Sequence, residues 1–388
     1  MNQTLTVVLT LKGRYLHTLR WLIYANKISL PYHIIIADGE VNPSINRLLS
    51  TQSNFPNISY RYIKSEDIDI SAFYAKWANA IRMVNTPYVM MSDNDDFLLP
   101  SGIDKAIDLL NSSPEYICSG GRVPGFSLKG DSSSPWHNVT GKIKSWSYRY
   151  APNYLYECRN FDNNLCYQRV LEQLNKPLSV HYCIYRTNAL QKITSELEQH
   201  SPSFLFCELY TMIRTMSLGK VHNNPRFLTY LRQQDSSSKL GYSDDLLDSI
   251  INSSLALDFN RMVRTVAKES GEHDNIDPEL LMEKFYAAYL QQLRVLLANR
   301  LLRYRFIRLY KLKLKLLSLK IKQKVTSLLS IFHNESDSQI ILKRLHKDGA
   351  TKISVDTQLL ELERVASTIE DGKFESYIEE NAPELISQ

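Results

Sequence analysis

From Leu5 to Ser119 the chain alternates short apolar, β-branched runs with segments of helical period, and few folds accept that pattern. Leu5–Leu11 (LTVVLTL), His33–Ala37 (HIIIA), Ile58–Ile63, Pro87–Met91 and Tyr116–Ser119 read as strands. The first and fourth are apolar enough for burial on both faces, as in a parallel sheet. Between the strands, Tyr15–Asn26 carries Leu16, Leu19, Leu22 and Ile23 at helical spacing. Ala72–Val84 does the same with Phe73, Trp77, Ala80, Ile81 and Val84, and Ser101–Leu110 reads as a further helix. Parallel neighbours need a crossover long enough for a helix, so the alternation predicts an α/β domain around a mostly parallel, Rossmann-like central sheet. In open sheets of that kind, ligands bind beyond the carboxyl ends of the strands. Gly13, Asp38 and Asp93 each follow a strand end, which places three polar breaks on one rim.

The later chain is less regular. Residues 120–180 read as a loop-and-strand region on the ligand side, Ser179–Tyr185 as a strand and Thr187–Gln199 as a helix. Phe204–Leu218 reads as a helix closed by a C-cap at Gly219, then Phe227–Leu231 as a strand and Arg232–Ser238 as a polar loop. Beyond residue 241 no strand pattern remains. The 388 residues therefore divide into an α/β domain over 1–240 and an α-helical C-terminal region over 241–388.

Five cysteines show neither CxxC spacing nor a paired pattern, which predicts free thiols in a reducing compartment. MNQTLTVVLTLKGR lacks the basic stretch and long apolar core of a secretory signal. No apolar run of about 18 residues predicts a spanning helix. A cytoplasmic location is the expectation.

Directly after PYVMM, the stretch SDNDDF puts three carboxylates in four positions, Asp93, Asp95 and Asp96, with Asn94 among them. Like charges that close repel, so each has to be solvated or paired. One reading is a solvated turn that caps the next helix, since Asp and Asn favour turns. A calcium loop beginning at Asp93 would need an oxygen ligand at its fifth position and glycine at its sixth, where Phe97 and Leu98 stand, so that reading fails. A third reading is a divalent-cation site, in which carboxylates at i and i+2 share a hard cation that grips a diphosphate.

The succession LTLKGR, IIIADGE and PYVMMSDNDDFLLPSGI resembles the GT-A nucleotide-diphosphosugar glycosyltransferases, specifically family-2-like inverting enzymes. FLFCELYTMIRTMSLGKVHNNPRFLTYLRQQDSS is similar to the second half of that domain, so the resemblance covers about residues 4–240. It implies that Thr10, Leu11 and Arg14 lie near the base and ribose, and that Asp38 binds the uracil or its equivalent. The turn Leu-Lys-Gly-Arg departs from the family's Thr-Tyr-Asn-Arg and leaves the base contacts open. Asp95 would sit on the metal, Mg²⁺ or Mn²⁺, and Asp93 on metal or ribose, with Asn94 beside them in the nucleotide-sugar site. Lys76 would touch a phosphate; on its own pattern it is a solvated helix lysine.

Inverting transfer needs one base to take the acceptor proton. The resemblance puts Glu208 of FLFCELY in that role, in apolar company that raises a carboxyl pKa. His181 and His222 are rival bases or a third metal ligand, and Arg232 or Gln233 would close over the diphosphate.

Arg300–Lys324 holds ten Lys and Arg interleaved with Leu, Ile and Tyr, and no Asp or Glu occurs from Lys284 to Asn334. This reads as a basic amphipathic helix over about 294–330. It would lie on an anionic membrane at the inner face of the plasma membrane, pack on the catalytic domain, or bind nucleic acid. No nucleic-acid motif accompanies it, and no nucleic acid is expected.

The expectation is a hexosyltransferase-type enzyme that moves a sugar, UDP-linked, to a glycan or lipid-linked acceptor in surface polysaccharide assembly. The alternatives are a nucleotidyltransferase, for which LKGR is a meagre phosphate loop, and a non-catalytic module at the membrane.

Overall fold

The computed structural model describes residues 4–40, 46–49, 54–129, 134, 136–147, 158–200, 204–234, 253–295, 298, 338–370 and 372–381. Strands β1 (Leu5–Leu11), β2 (His33–Asp38), β3 (Ser59–Lys64) and β4 (Tyr88–Asp93) alternate with helices α1 (Tyr15–Lys27), α2 (Asn46–Leu49) and α3 (Ile70–Arg82). Then come β5 (Phe97–Leu98), α4 (Pro100–Ser112), β6 (Tyr116–Arg122), β7 (Gly125–Lys129), β8 (Lys142–Ser147) and α5 (Cys166–Asn175). The domain closes with β9 (Ile184–Arg186), α6 (Thr187–Leu197), α7 (Phe204–Leu218), β10 (Lys220–Leu228) and β11 (Tyr230–Gln233).

The central sheet has the order β10-β6-β9-β4-β1-β2-β3, and a second sheet the order β5-β11-β7-β8. β1 to β4 pair in parallel, as do β6 and β10. Among the described strands of this sheet, β9 runs antiparallel, wedged between β4 and β6. The chain is thus α/β with a mostly parallel central sheet, as its alternation predicts. Side chains alternate across the pleat, so one strand feeds two cores. Val8, Ile35, Val89 and Met91 meet α3 and α7 on one face; Val7, Leu9, Ile34, Ile36 and Met90 meet α1 and α4 on the other. α3 starts where Asp69 accepts the Ala72 N–H at 2.8 Å, an N-cap worth about 1 kcal/mol.

Several local expectations are corrected. The strand expected over Ser179–Tyr185 is only Ile184–Arg186, because residues 181–183 turn. The strand expected over Phe227–Leu231 divides into β10 and β11, which belong to different sheets. Residues 120–180 include a helix, Cys166–Asn175, as well as strands. Gly219 is not a left-handed cap; a β-carbon there would lie 2.4 Å from Ile117, so the glycine serves close packing at the start of β10.

The C-terminal part is helical among the described residues. α8 (Ser253–Asp274) and α9 (278–295) pack beside α5 and α7. α10 (Gln339–Lys347), α11 (Lys352–Glu370) and α12 (Lys373–Asn381) cover α1, β8 and β10 instead. Glu361 of α11 accepts the Ser101 N–H at 2.8 Å and the Ser101 hydroxyl at 2.6 Å. The amino end of α4, which has no local side-chain cap, is thereby capped from a distant element. The basic stretch read as a helix over about 294–330 lies almost wholly outside the described residues. Among the described residues, no helix is long and apolar enough to cross a membrane.

Candidate active site

Thr10 of β1 lies level with Asp93 of β4, so the turns after these two strands open on the same rim. Gly13 and Arg14 both take left-handed backbone (φ 62° and 56°), which brings the start of α1 against the acidic turn. Arg14 Nη2 stands 3.1 Å from Asp95 Oδ2. Arg20, fully buried further along α1, donates from Nη2 to the Asp95 carbonyl at 2.6 Å and from Nη1 to the Val139 carbonyl at 2.7 Å. Asn94 donates to Thr18 Oγ1 at 2.9 Å. Buried donors of this kind fix the acidic turn onto α1, because leaving either partner unpaired costs about 1–3 kcal/mol.

The carboxylates of Asp93, Asp95 and Asp96 converge, with one oxygen of each within 4.8 Å of the others. Tyr182 Oη donates to Asp93 Oδ2 at 3.0 Å, and His181 Nε2 lies 3.9 Å from Oδ1. The Gln233 N–H donates to Asp96 Oδ1 at 2.8 Å, and Arg232 Nε stands 3.3 Å from Oδ2. Burial works to raise the Asp93 carboxyl, but His181, Arg232 and Tyr182 together outweigh it and hold it below the usual carboxylate range. Asp96 goes the other way: burial, reinforced by Asp95, pushes its carboxyl well above that range, against the pull of Arg232. The hard oxygen donors collected here suit Mg²⁺ or Mn²⁺.

An aromatic layer supports the cluster. Tyr182 stacks on Tyr230 at 4.4 Å, and the Arg232 guanidinium sits 4.8 Å from the Tyr182 ring. Tyr230 Oη accepts the Asp93 N–H at 2.8 Å. His181 stacks on Trp77 at 5.5 Å. Glu208, on α7, is open to solvent yet has protein crowded around its carboxyl. That crowding raises its carboxyl above the ordinary value; His181 and Arg232 pull it down and Asp93 pushes it up. The same groups thus act on both Asp93 and Glu208.

Other expected residues are placed differently. Asp38 is fully buried and accepts the Glu40 N–H at 2.9 Å on Oδ1 and the Tyr62 hydroxyl at 2.7 Å on Oδ2, with Lys64 at 3.7 Å, so in this arrangement both of its oxygens are engaged within the protein. Lys76 is not a solvated helix lysine. It is 1 % exposed, pairs with Asp67 at 2.7 Å and donates to the Leu11 carbonyl at 3.0 Å, which keeps it from a phosphate. Burial lowers the Lys76 ammonium and Asp67 partly restores it. Asn94 points its amide inward to Thr18 rather than toward a ligand. Thr10 is half-buried on the rim, whereas Leu11 is buried and contributes its carbonyl to Lys76. His222 lies edge-on to Tyr116 at the amino end of the sheet, away from the cluster.

Sequence reasoning missed Tyr182, Tyr230 and Arg20. Arg20 had a signal: it falls inside the apolar stripe of Leu16, Leu19 and Ile23, where a charge has to have a buried purpose. The two tyrosines had none, since their stacking joins distant segments.

No family model and no curated protein matches the sequence. Among solved structures 214 chains match. The crystal structure of S. aureus TarS is 13% identical, with a TM-score of 0.43, and covers 74% of this chain but 43% of that one, so this chain spans less than half its length. S. aureus TarS 1-349 alone is 11% identical with a TM-score of 0.46, covering 96% and 92%. Its complex with UDP-GlcNAc is 12% identical with a TM-score of 0.46, again covering 96% and 92%. At this degree of similarity, the sheet topology and the geometry of the acidic cluster carry the functional reading.

Proposed function

We propose that the chain is a glycosyltransferase that takes a sugar from a nucleotide-diphosphate donor, UDP-linked, and moves it to a hydroxyl of a glycan or lipid-linked acceptor. The observation that carries this reading is the convergence of Asp93, Asp95 and Asp96 at the carboxyl end of β4, in one electrostatic neighbourhood with Glu208. Asp95 and Asp93, backed by Asp96, would hold Mg²⁺ or Mn²⁺, which when bound supplies charge neutralisation for a diphosphate leaving group. Arg14 and Arg232 line the same rim and add guanidinium donors suited to phosphate oxygens.

Glu208 acts as the base. It takes the proton of the acceptor hydroxyl as that oxygen bonds to the anomeric carbon and the nucleotide diphosphate departs from the opposite face, with inversion. Its raised proton affinity brings it nearer to the working pH than an ordinary glutamate. His181 is the rival base, but its place on Trp77 beside Asp93 fits a group that steadies Asp93. The basic Arg300–Lys324 stretch would bring the enzyme to an anionic membrane, where lipid-linked acceptors and surface polysaccharide assembly are found.

Calorimetric titration of UDP, GDP and CMP, each with and without Mn²⁺, tests the donor site. Mn²⁺-dependent binding of one nucleotide, lost in Asp95→Asn, is the expected result. A folded protein that binds none of the three sinks the reading.

A further inference from the structure

We infer that Arg14 is an exchange residue: it holds Asp95 in the ligand-free enzyme, gives that carboxylate up to the entering cation, and turns its own guanidinium to the diphosphate. This rests on the proposed cation-dependent donor site and concerns how the chain's own charges make room for it.

The cluster is already balanced from within. Arg14 faces Asp95 at 3.1 Å, Arg232 faces Asp96 at 3.3 Å, and His181 faces Asp93 at 3.9 Å. A carboxylate in contact with a guanidinium is a poorer ligand for a second cation, since the fixed positive charge a few ångström away repels the incoming one. Each of these contacts competes with a divalent ion for the carboxylate it holds.

The geometry selects Arg14. Arg232 is anchored twice more, by its place on β11 and by the Tyr182 ring beneath its guanidinium. Arg20 is buried and spends both terminal nitrogens on carbonyls. Arg14 instead stands at the rim with its side chain 24 % exposed, on a backbone kink of two successive left-handed residues that fixes its Cα while leaving the side chain at the cleft mouth. It sits at the amino end of α1, where the helix dipole also favours an incoming phosphate. A guanidinium released there matches phosphate oxygens with two parallel donors.

Exchange predicts effects of opposite sign from one substitution. In Arg14→Gln, Mn²⁺ alone should bind about ten-fold more tightly, as the competing charge is gone. Mn²⁺-dependent UDP binding should weaken by about ten-fold, as a charged phosphate contact is lost. Free Mn²⁺ is read by electron paramagnetic resonance and UDP by calorimetry, with thermal melting to confirm the fold. Arg14→Lys keeps the charge and loses the fork, so its Mn²⁺ affinity should stay within about two-fold of wild type while UDP binding falls.

Unchanged or weaker Mn²⁺ binding in Arg14→Gln, with Mn²⁺ bound by the wild type, would overturn the exchange and leave the donor site standing. Tighter Mn²⁺ binding with UDP affinity intact would overturn the transfer to the diphosphate. Mn²⁺ bound by neither protein would sink the cation-dependent site itself, and the exchange with it.

Discussion

Two regions of the same sheet carry carboxylates at their strand ends, and they have opposite fates. At the ends of β2 and β3, Asp38 and Asp67 each have partners of their own: Tyr62 and Lys64 take Asp38, and Lys76, itself 1 % exposed, takes Asp67. Past β4, Asp93, Asp95 and Asp96 converge on one another, with Arg14 beside Asp95, Arg232 beside Asp96 and His181 beside Asp93. Burial there, reinforced by Asp95, leaves Asp96 with its proton affinity raised. Residue type does not separate a structural acid from a chemical one. What separates them is whether each carboxylate has partners of its own or is left crowded against other carboxylates.

The largest effect belongs to the open end. Glu208→Gln should lower kcat by roughly 10²–10⁴-fold while calorimetry finds nucleotide affinity near that of the wild type. Turnover at the wild-type rate would remove Glu208 from the chemistry and leave His181 as the base.

The closed end should show itself in stability. Lys76→Met strands Asp67 in the core beside Lys12, and urea unfolding should show a loss of about 3–5 kcal/mol. Adding Asp67→Ala should recover most of that loss. Asp95→Asn, the matching change at the open end, loses the Arg14 ion pair but relieves the crowding of three carboxylates, and should cost less than Lys76→Met. Equal losses at both ends would erase the distinction.

The pH dependences sharpen it further. Because Glu208 is raised, kcat/KM should climb with pH along a limb above the ordinary 4.5 of a glutamate, and the residual activity of Glu208→Gln should lack that limb. The smallest effect is on stability. Folded Asp96 binds its proton more tightly than the unfolded chain does, so its contribution to stability falls as pH rises through the raised value. Asp93 is depressed, and its contribution is lost only as pH falls through its low value. Asp96→Asn should therefore flatten the melting-temperature profile on the neutral side and leave the acid side alone.

Legibility in the sequence tracks the separation of the partners along the chain. β1, α1, β2 and α3 were legible because each announces itself within a dozen residues, by β-branched runs or a helical stripe ending in a cap. The acidic cluster was legible for the same reason. Lys76 was not, because a lysine on a helix looks solvated until the Asp67 loop folds back beneath the β1–α1 turn. Asp38 looked free because Tyr62 and Lys64 reach it from the neighbouring strand. β9, at three residues, is too short to leave a periodic trace.

That short strand has a consequence for how the chain comes together. Tyr88, Val89 and Met90 pair with Arg186, Tyr185 and Ile184, and among the described residues no other strand covers that side of β4. Until residue 186 emerges from the ribosome, the first four strands end in an apolar edge with unmet amide and carbonyl groups. An open edge of that kind recruits strands from other molecules. The nascent chain must therefore be shielded across the synthesis of nearly a hundred residues, and a fragment ending before β9 should aggregate rather than fold.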